Sequence, residues 1–169
     1  MSEDLYRNEV EAAASRANGT DIVLNRTPAH AAVIAEFIFD KAEVIVEILT
    51  ESVEDPALCN EKTAESAVAF LKKGPWARID MLVARAADRG RFISEIAEAG
   101  LRDRVEIHVV PPTLLGPKHS FFMVADGRHY RYQRDRNELQ ASVQFGNEDL
   151  GGLLQTRFRA LKRKAAPTA

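Results

Sequence analysis

The stretch "GPKHSFFMVADGRHYRY", residues 116–132, gathers the side chains best able to do chemistry. His119 opens an apolar run that ends at Asp126, and Lys118, Tyr130, Arg131 and Tyr132 lie close by in the chain. An imidazole can attack, accept a proton or donate one near neutral pH. A guanidinium flanked by two tyrosines can grip an oxyanion or stack on a base. His119, Lys118, Tyr130 and Arg131 are therefore the candidate ligand contacts, and Asp126 is the acid seven residues after His119. Each also has a plainer reading. His119 can cap a strand by bonding the loop before it, Asp126 can serve a tight Asp-Gly turn, and Arg131 can be a solvated strand arginine. Two of these positions depend on which way the backbone faces. Lys118 precedes His119 directly and points away from it unless the loop turns. A strict two-residue turn at Asp126-Gly127 pairs Phe122 with Arg131 and puts Arg131 on the face opposite His119. One extra turn residue reverses that placement.

The remaining reactive residues are scattered. His30, His108 and His129 have no acid at a spacing suited to a metal, so no metal site is expected. His108 falls on an interior strand, where a core role fits. Cys59 is the sole cysteine, which excludes an internal disulfide and a cysteine-based zinc site. Trp76 follows "KKGP" and suits a loop anchor. "DRGR", residues 88–91, is basic at a helix start, but it lacks the glycine spacing of a Walker loop or a dinucleotide-binding turn. No cofactor is expected.

These residues need elements to hold them, and the chain supplies alternating ones. "SEDLYRNEVEAAASRANG" reads as an amphipathic helix with Leu5, Val10 and Ala13 inward and Gly19 ending it. "TPAHAAVIAEFIFDKA" reads as a second helix, with Thr27 as cap and Pro28 at the first helical position, and it leads into the strand "AEVIVEILT". A helix in "EKTAESAVAFLKKG", a strand in "ARIDMLVA", a helix in "DRGRFISEIAEAG" and a strand in "RVEIHVV" continue the alternation. Strands spaced by helices favour parallel pairing with right-handed crossovers. A hairpin at Asp126-Gly127 follows, then a strand in "ELQASVQF" and a final helix, "NEDLGGLLQTRFRALKRKA". Leu150, Leu153, Leu154, Phe158 and Leu161 mark the expected core face of that helix. The fold class is α/β: a mixed, largely parallel sheet flanked by helices, with a C-terminal β-hairpin and helix. Residues 1–26 read as an N-terminal helix and connecting segment, 27–164 as the domain, and 165–169 as a disordered tail.

Composition narrows the possibilities. With 169 residues, 46% of them hydrophobic, one domain with a real core is expected. The apolar runs are too short to cross a bilayer, for which about 20 residues are needed, and the acidic N-terminus does not read as an export signal, so a cytoplasmic protein is expected. Net charge is −2 overall but uneven: −8 over residues 1–60, +1 over 61–127 and +5 over 128–169. That polarity fits either a nucleic-acid face or charge matching within or between subunits.

His119, Phe121 and Asp126 occupy the H, K and D places of HxKxxxxD, and the order of elements over residues 28–164 follows the same pattern; the chain resembles one half of the phospholipase D superfamily fold. The resemblance implies a phospholipase D-like sandwich. In that family the His attacks phosphorus, the Lys holds the phosphoryl oxygens, and two motifs meet across a two-fold or pseudo-two-fold axis. One motif per chain then implies a homodimer with His119 near the axis. Here Phe121 replaces the Lys, and an apolar ring cannot stabilise the transition-state charge. The Gly-Ser and Asn that usually follow the motif are also missing from "HYRYQRDRN". The expected function is a non-catalytic domain acting in binding or assembly, its partner a phosphate-bearing ligand, a nucleic acid or another protein. The alternative is a phosphodiesterase or nuclease using His119 with Lys118 or Arg131 as substitute cation, and only in that case does the resemblance imply His119 and Asp126 as catalytic residues.

Overall fold

The computed structural model describes residues 1–87 and 90–167. Its elements are helix α1 (Glu3–Arg16), strand β1 (Val23–Asn25), α2 (Pro28–Lys41), β2 (Ile45–Thr50), α3 (Glu61–Leu71), β3 (Arg78–Val83) and α4 (Arg91–Glu98). A 3-10 turn (Arg102–Arg104), β4 (Val105–Val109), α5 (Pro112–Leu115), β5 (Phe121–Ala125), β6 (His129–Gln133), β7 (Ala141–Gln144), α6 (Glu148–Lys162) and β8 (Ala166–Pro167) complete it. Local chemistry sets the boundaries. The Thr27 hydroxyl accepts from the His30 amide at 3.1 Å and Pro28 opens α2, while Asn60 and Asn147 cap α3 and α6 by accepting from the Thr63 and Leu150 amides.

All eight strands form one mixed sheet in the order β1-β7-β6-β5-β2-β3-β4-β8. The parallel part is β2, β3 and β4, joined by crossovers through α3 and α4; every other pairing is antiparallel. Helices α1 to α4 cover one face, where Ile34, Phe39, Phe70, Ile79, Met81 and Phe92 form the larger core. Helix α6 covers the other, where Leu49, Leu82, Phe122, Val124 and Phe158 pack together.

Three local expectations change. In α1, Tyr6 takes the inward position and Leu5 is 62% exposed. In α6, Phe158 is fully buried and Leu154 and Leu161 pack beside it, whereas Leu150 and Leu153 face outward. Residues 166–167, expected to fray, pair with the edge of β4. Asp88 and Arg89 of the "DRGR" segment lie outside the described residues, and α4 begins at Arg91 after Gly90. Among the described residues no helix is long and apolar enough to cross a membrane.

The β5–β6 hairpin decides the site. Its turn has three residues, not two: Asp126 and Gly127 adopt positive φ (54° and 65°), and Ala125 pairs with His129. Met123 therefore pairs with Arg131, and Phe121 with Gln133. The extra residue brings Arg131 to the face shared by Met123 and Phe121. Asp126 holds the turn to the start of β2, its carboxylate accepting from the amides of Glu43, Val44 and Ile45 at 2.8, 3.0 and 2.9 Å. Gly151 lets α6 dock on this turn, since a Cβ there would lie 2.3 Å from the Gly127 carbonyl oxygen.

Candidate functional site

A groove of about 350 Å³ opens where the C-terminal ends of β2 and β3 meet the start of α2 and the N-terminal end of β5. Its walls come from Thr27, Pro28 and Ala31, from the loop after β2 (Glu51, Ser52, Glu54, Asp55, Pro56, Ala57), and from Arg85, Phe121, Arg131, Gln133, Arg136 and Leu139. The crevice beyond the carboxyl ends of parallel strands is where open α/β sheets usually bind ligands.

The charges lining it differ in how they are satisfied. Arg85 lies 3.9 Å from Glu54 and Arg136 lies 3.7 Å from Glu51, both as solvent-facing pairs. Asp55 accepts from the Thr50 hydroxyl and from the Ala57 amide, which fixes the loop after β2. Arg131 is different. Its Nε donates to the Asn25 side-chain oxygen at 2.6 Å and its Nη2 to the Gln133 side-chain oxygen at 3.3 Å, both neutral acceptors. Among the described residues it has no carboxylate within ion-pair distance. Burial pulls its pKa below the ordinary arginine value, an effect only partly offset by Asp55 and Tyr6.

His119 lies just beyond the groove wall, 4% exposed. Its Nδ1 donates to the Gly116 carbonyl at 3.0 Å, the tautomer a carbonyl partner requires, which leaves the lone pair on Nε2. That Nε2 is buried and has no hydrogen-bond partner among the described residues. Phe121 packs edge-on against the imidazole, with centroids 4.7 Å apart and planes at 70°, and Phe121, not His119, lines the groove.

The other candidates are dispersed. Asp126 sits at the far end of β5, engaged with β2. Lys118 is exposed on the loop before the strand and does not line the groove. Tyr130 faces α6, where its buried hydroxyl donates to Gln144. The structure thus brings Arg131 and Phe121 together beside His119, and leaves Lys118, Tyr130 and Asp126 elsewhere. His30 stacks on Tyr6 at 3.7 Å, and His108 lies 3.5 Å from Glu106. His129 is buried, its Nδ1 accepting from the Gly146 amide, and burial draws its pKa down to about 4. Trp76 anchors a loop through a bond to the Glu43 carbonyl at 3.1 Å, and the half-buried Cys59 thiol contacts the Val53 carbonyl.

Sequence reasoning missed two groups. Asn25, which orients Arg131, lies 106 residues away in the chain, and no local pattern announces the pairing. The second group is a row of carboxylates on the α6 face: Glu47, Asp80 and Glu106 stand side by side across β2, β3 and β4. One acid at the matching place in each of three apolar strands was the available signal.

No protein-family model matches the sequence, and no curated protein matches it. Similarity appears in three dimensions. Nuc from Salmonella typhimurium, a phospholipase D family member, superposes with a TM-score of 0.61 at 13% identity, over 88% of this chain and 97% of Nuc. NucT from Helicobacter pylori gives 0.59 at 9% identity, over 88% and 99%. TrmBL2, an archaeal chromatin protein with a novel mode of DNA binding, gives 0.59 at 10% identity, over 98% of this chain and 62% of its own length.

Proposed function

We propose that this chain, whose fold is that of the phospholipase D-like domains, is a catalytically lapsed member of that architecture that retains a binding role. The observation that carries the reading is the pairing of Phe121 with His119. By the motif spacing Phe121 stands for the phosphate-holding cation; its ring packs on the imidazole, whose Nε2, the nitrogen that would attack, is buried with no partner among the described residues. A buried nucleophile cannot reach a scissile phosphorus, and without a cation the developing charge has no counterpart. The groove still holds an arginine that, among the described residues, has no carboxylate at ion-pair distance, which supports binding of a phosphate-bearing ligand. The chromatin neighbour's DNA binding makes nucleic acid a ligand to test, and a protein partner is the remaining one. One motif per chain supports a homodimer with His119 of each subunit near the two-fold axis.

A second reading is favoured by one observation: the three-residue turn places Arg131 on the face of Phe121, where it could substitute for the missing cation. A turnover assay with bis-p-nitrophenyl phosphate, run beside His119→Ala, separates the two. The lapsed reading predicts no release of nitrophenolate above buffer from either protein. Release that vanishes in the variant would establish phosphodiesterase chemistry. Sedimentation of the purified chain at tens of micromolar tests the dimer, and a monomer there would refute it.

A further inference from the structure

The balance of charge in the groove says more about what it holds. Among the described residues three guanidinium groups line it, from Arg85, Arg131 and Arg136, and three carboxylates, from Glu51, Glu54 and Asp55. Arg85 and Arg136 sit beside Glu54 and Glu51 at the rim, so their positive potential is largely cancelled for anything approaching. The interior one, Arg131, has no described carboxylate at ion-pair distance and feels Asp55, held by Thr50 and the Ala57 amide, only from farther off. A half-buried guanidinium that among the described residues bonds two neutral side-chain oxygens retains donors for an anion, and two oxygens of a carboxylate or phosphodiester can engage them in a bidentate pair. Phe121, Pro28, Ala31 and Leu139 give the groove an apolar wall beside that cation. Its volume, about 350 Å³, is at the small end for organic-ligand pockets. A nucleic-acid strand would meet the opposite of what it needs. Successive phosphates require a continuous track of cations, whereas here they would pass the rim carboxylates.

We infer that the groove is selective for a small organic monoanion, one oxyanion seated on Arg131 and an apolar body laid against Phe121, and that it excludes polyanions. The inference rests on the proposal that the groove is a retained binding site. The shared chemistry is a single negative charge on a flat apolar frame, carried by either a carboxylate or a phosphodiester.

Calorimetric titration of the full chain tests this with four probes: 1-naphthoate, diphenyl phosphate, the phenyl phosphate dianion and a ten-residue oligothymidylate. The inference predicts that at least one of the two monoanions binds, more tightly than the dianion and the oligonucleotide, and the better of the two identifies the oxyanion. Arg131→Gln keeps an N–H near the position of Nε for Asn25 while removing the charge, and it should weaken monoanion binding by at least about tenfold. Circular dichroism establishes that this variant is folded. A double variant, Glu51→Gln with Glu54→Gln, unmasks the two rim arginines and should raise affinity for the dianion. Tighter binding of the oligonucleotide, lost in Arg131→Gln, would overturn the charge selection while leaving a binding groove in place. Absence of binding by both monoanions at millimolar concentration would overturn the inference altogether. Turnover, measured separately, decides the lapsed-enzyme proposal.

Discussion

The two faces of the sheet treat buried charge in opposite ways. On the α6 face, Glu47 accepts from Gln155 at 2.8 Å and pairs with Arg159 at 3.3 Å, while Lys162 bridges Asp80 and Glu106 at 2.8 Å each. Gln155, Arg159 and Lys162 recur at helical spacing, so a single stripe of α6 meets a single row of strand acids. On the groove face, Arg131 has two neutral acceptors and, among the described residues, no carboxylate at ion-pair distance. Charge matched within the chain fastens a helix to the sheet. Charge left unmatched at a groove is available to a ligand, and this contrast is what supports the proposal that the groove is a binding site.

Removing one partner from the matched face should have the largest effect. Lys162→Met leaves Asp80 buried without its 2.8 Å partner and should cost about 3 kcal/mol in urea unfolding. A loss below about 1 kcal/mol would mean that the row of acids does not hold α6.

A second test uses acid. His129, on the groove face, has its pKa drawn down to about 4 by burial, from an ordinary value near 6.5. The unfolded chain binds the proton first, so the stability His129 contributes is full above pH 6.5 and is lost as pH falls towards 4. The loss should reach about 3 kcal/mol. His129→Asn keeps an acceptor for the Gly146 amide and should remove this part of the pH dependence, measured by thermal melts at each pH. An unchanged profile would contradict the assignment.

Smaller effects sharpen the contrast. Burial raises the Glu47 pKa, against the pull of Gln155 and Arg159. With the folded value above the unfolded one, its favourable contribution is present in acid and lost as pH rises through the folded pKa. Glu47→Gln keeps the acceptor for Gln155, and it should gain up to about 1 kcal/mol at pH 7 and nothing at pH 4. Arg131→Gln should shift stability by less than about 1 kcal/mol, because a half-buried charge without a carboxylate is replaced by an amide that still serves Asn25. A loss as large as that of Lys162→Met would mark Arg131 as a structural group and erase the distinction between the faces.

Much of the frame was legible in local sequence. Thr27-Pro28 announced α2, Asn147 announced α6, and His119 with Asp126 pointed to a fold that the neighbours in three dimensions share. What escaped depended on long-range register. The Asp-Gly pair signalled a turn but not its length, and one added residue decided the face of Arg131. The row of Glu47, Asp80 and Glu106 exists only once three strands align. It also explains why α6 presents fewer leucines inward than its pattern implied. Arg159 and Lys162 turn towards the acids, and Leu150 and Leu153 are left facing solvent.

A phosphorus-31 NMR time course of diphenyl phosphate with the purified chain probes the proposed pairing of a retired nucleophile with a retained anion site. A lapsed site leaves the diester intact, with no phenyl phosphate appearing over days, and where the phosphodiester is the bound oxyanion its resonance is broadened or shifted by the protein and restored in Arg131→Gln. A growing phenyl phosphate resonance that is absent in His119→Ala would contradict the lapsed reading.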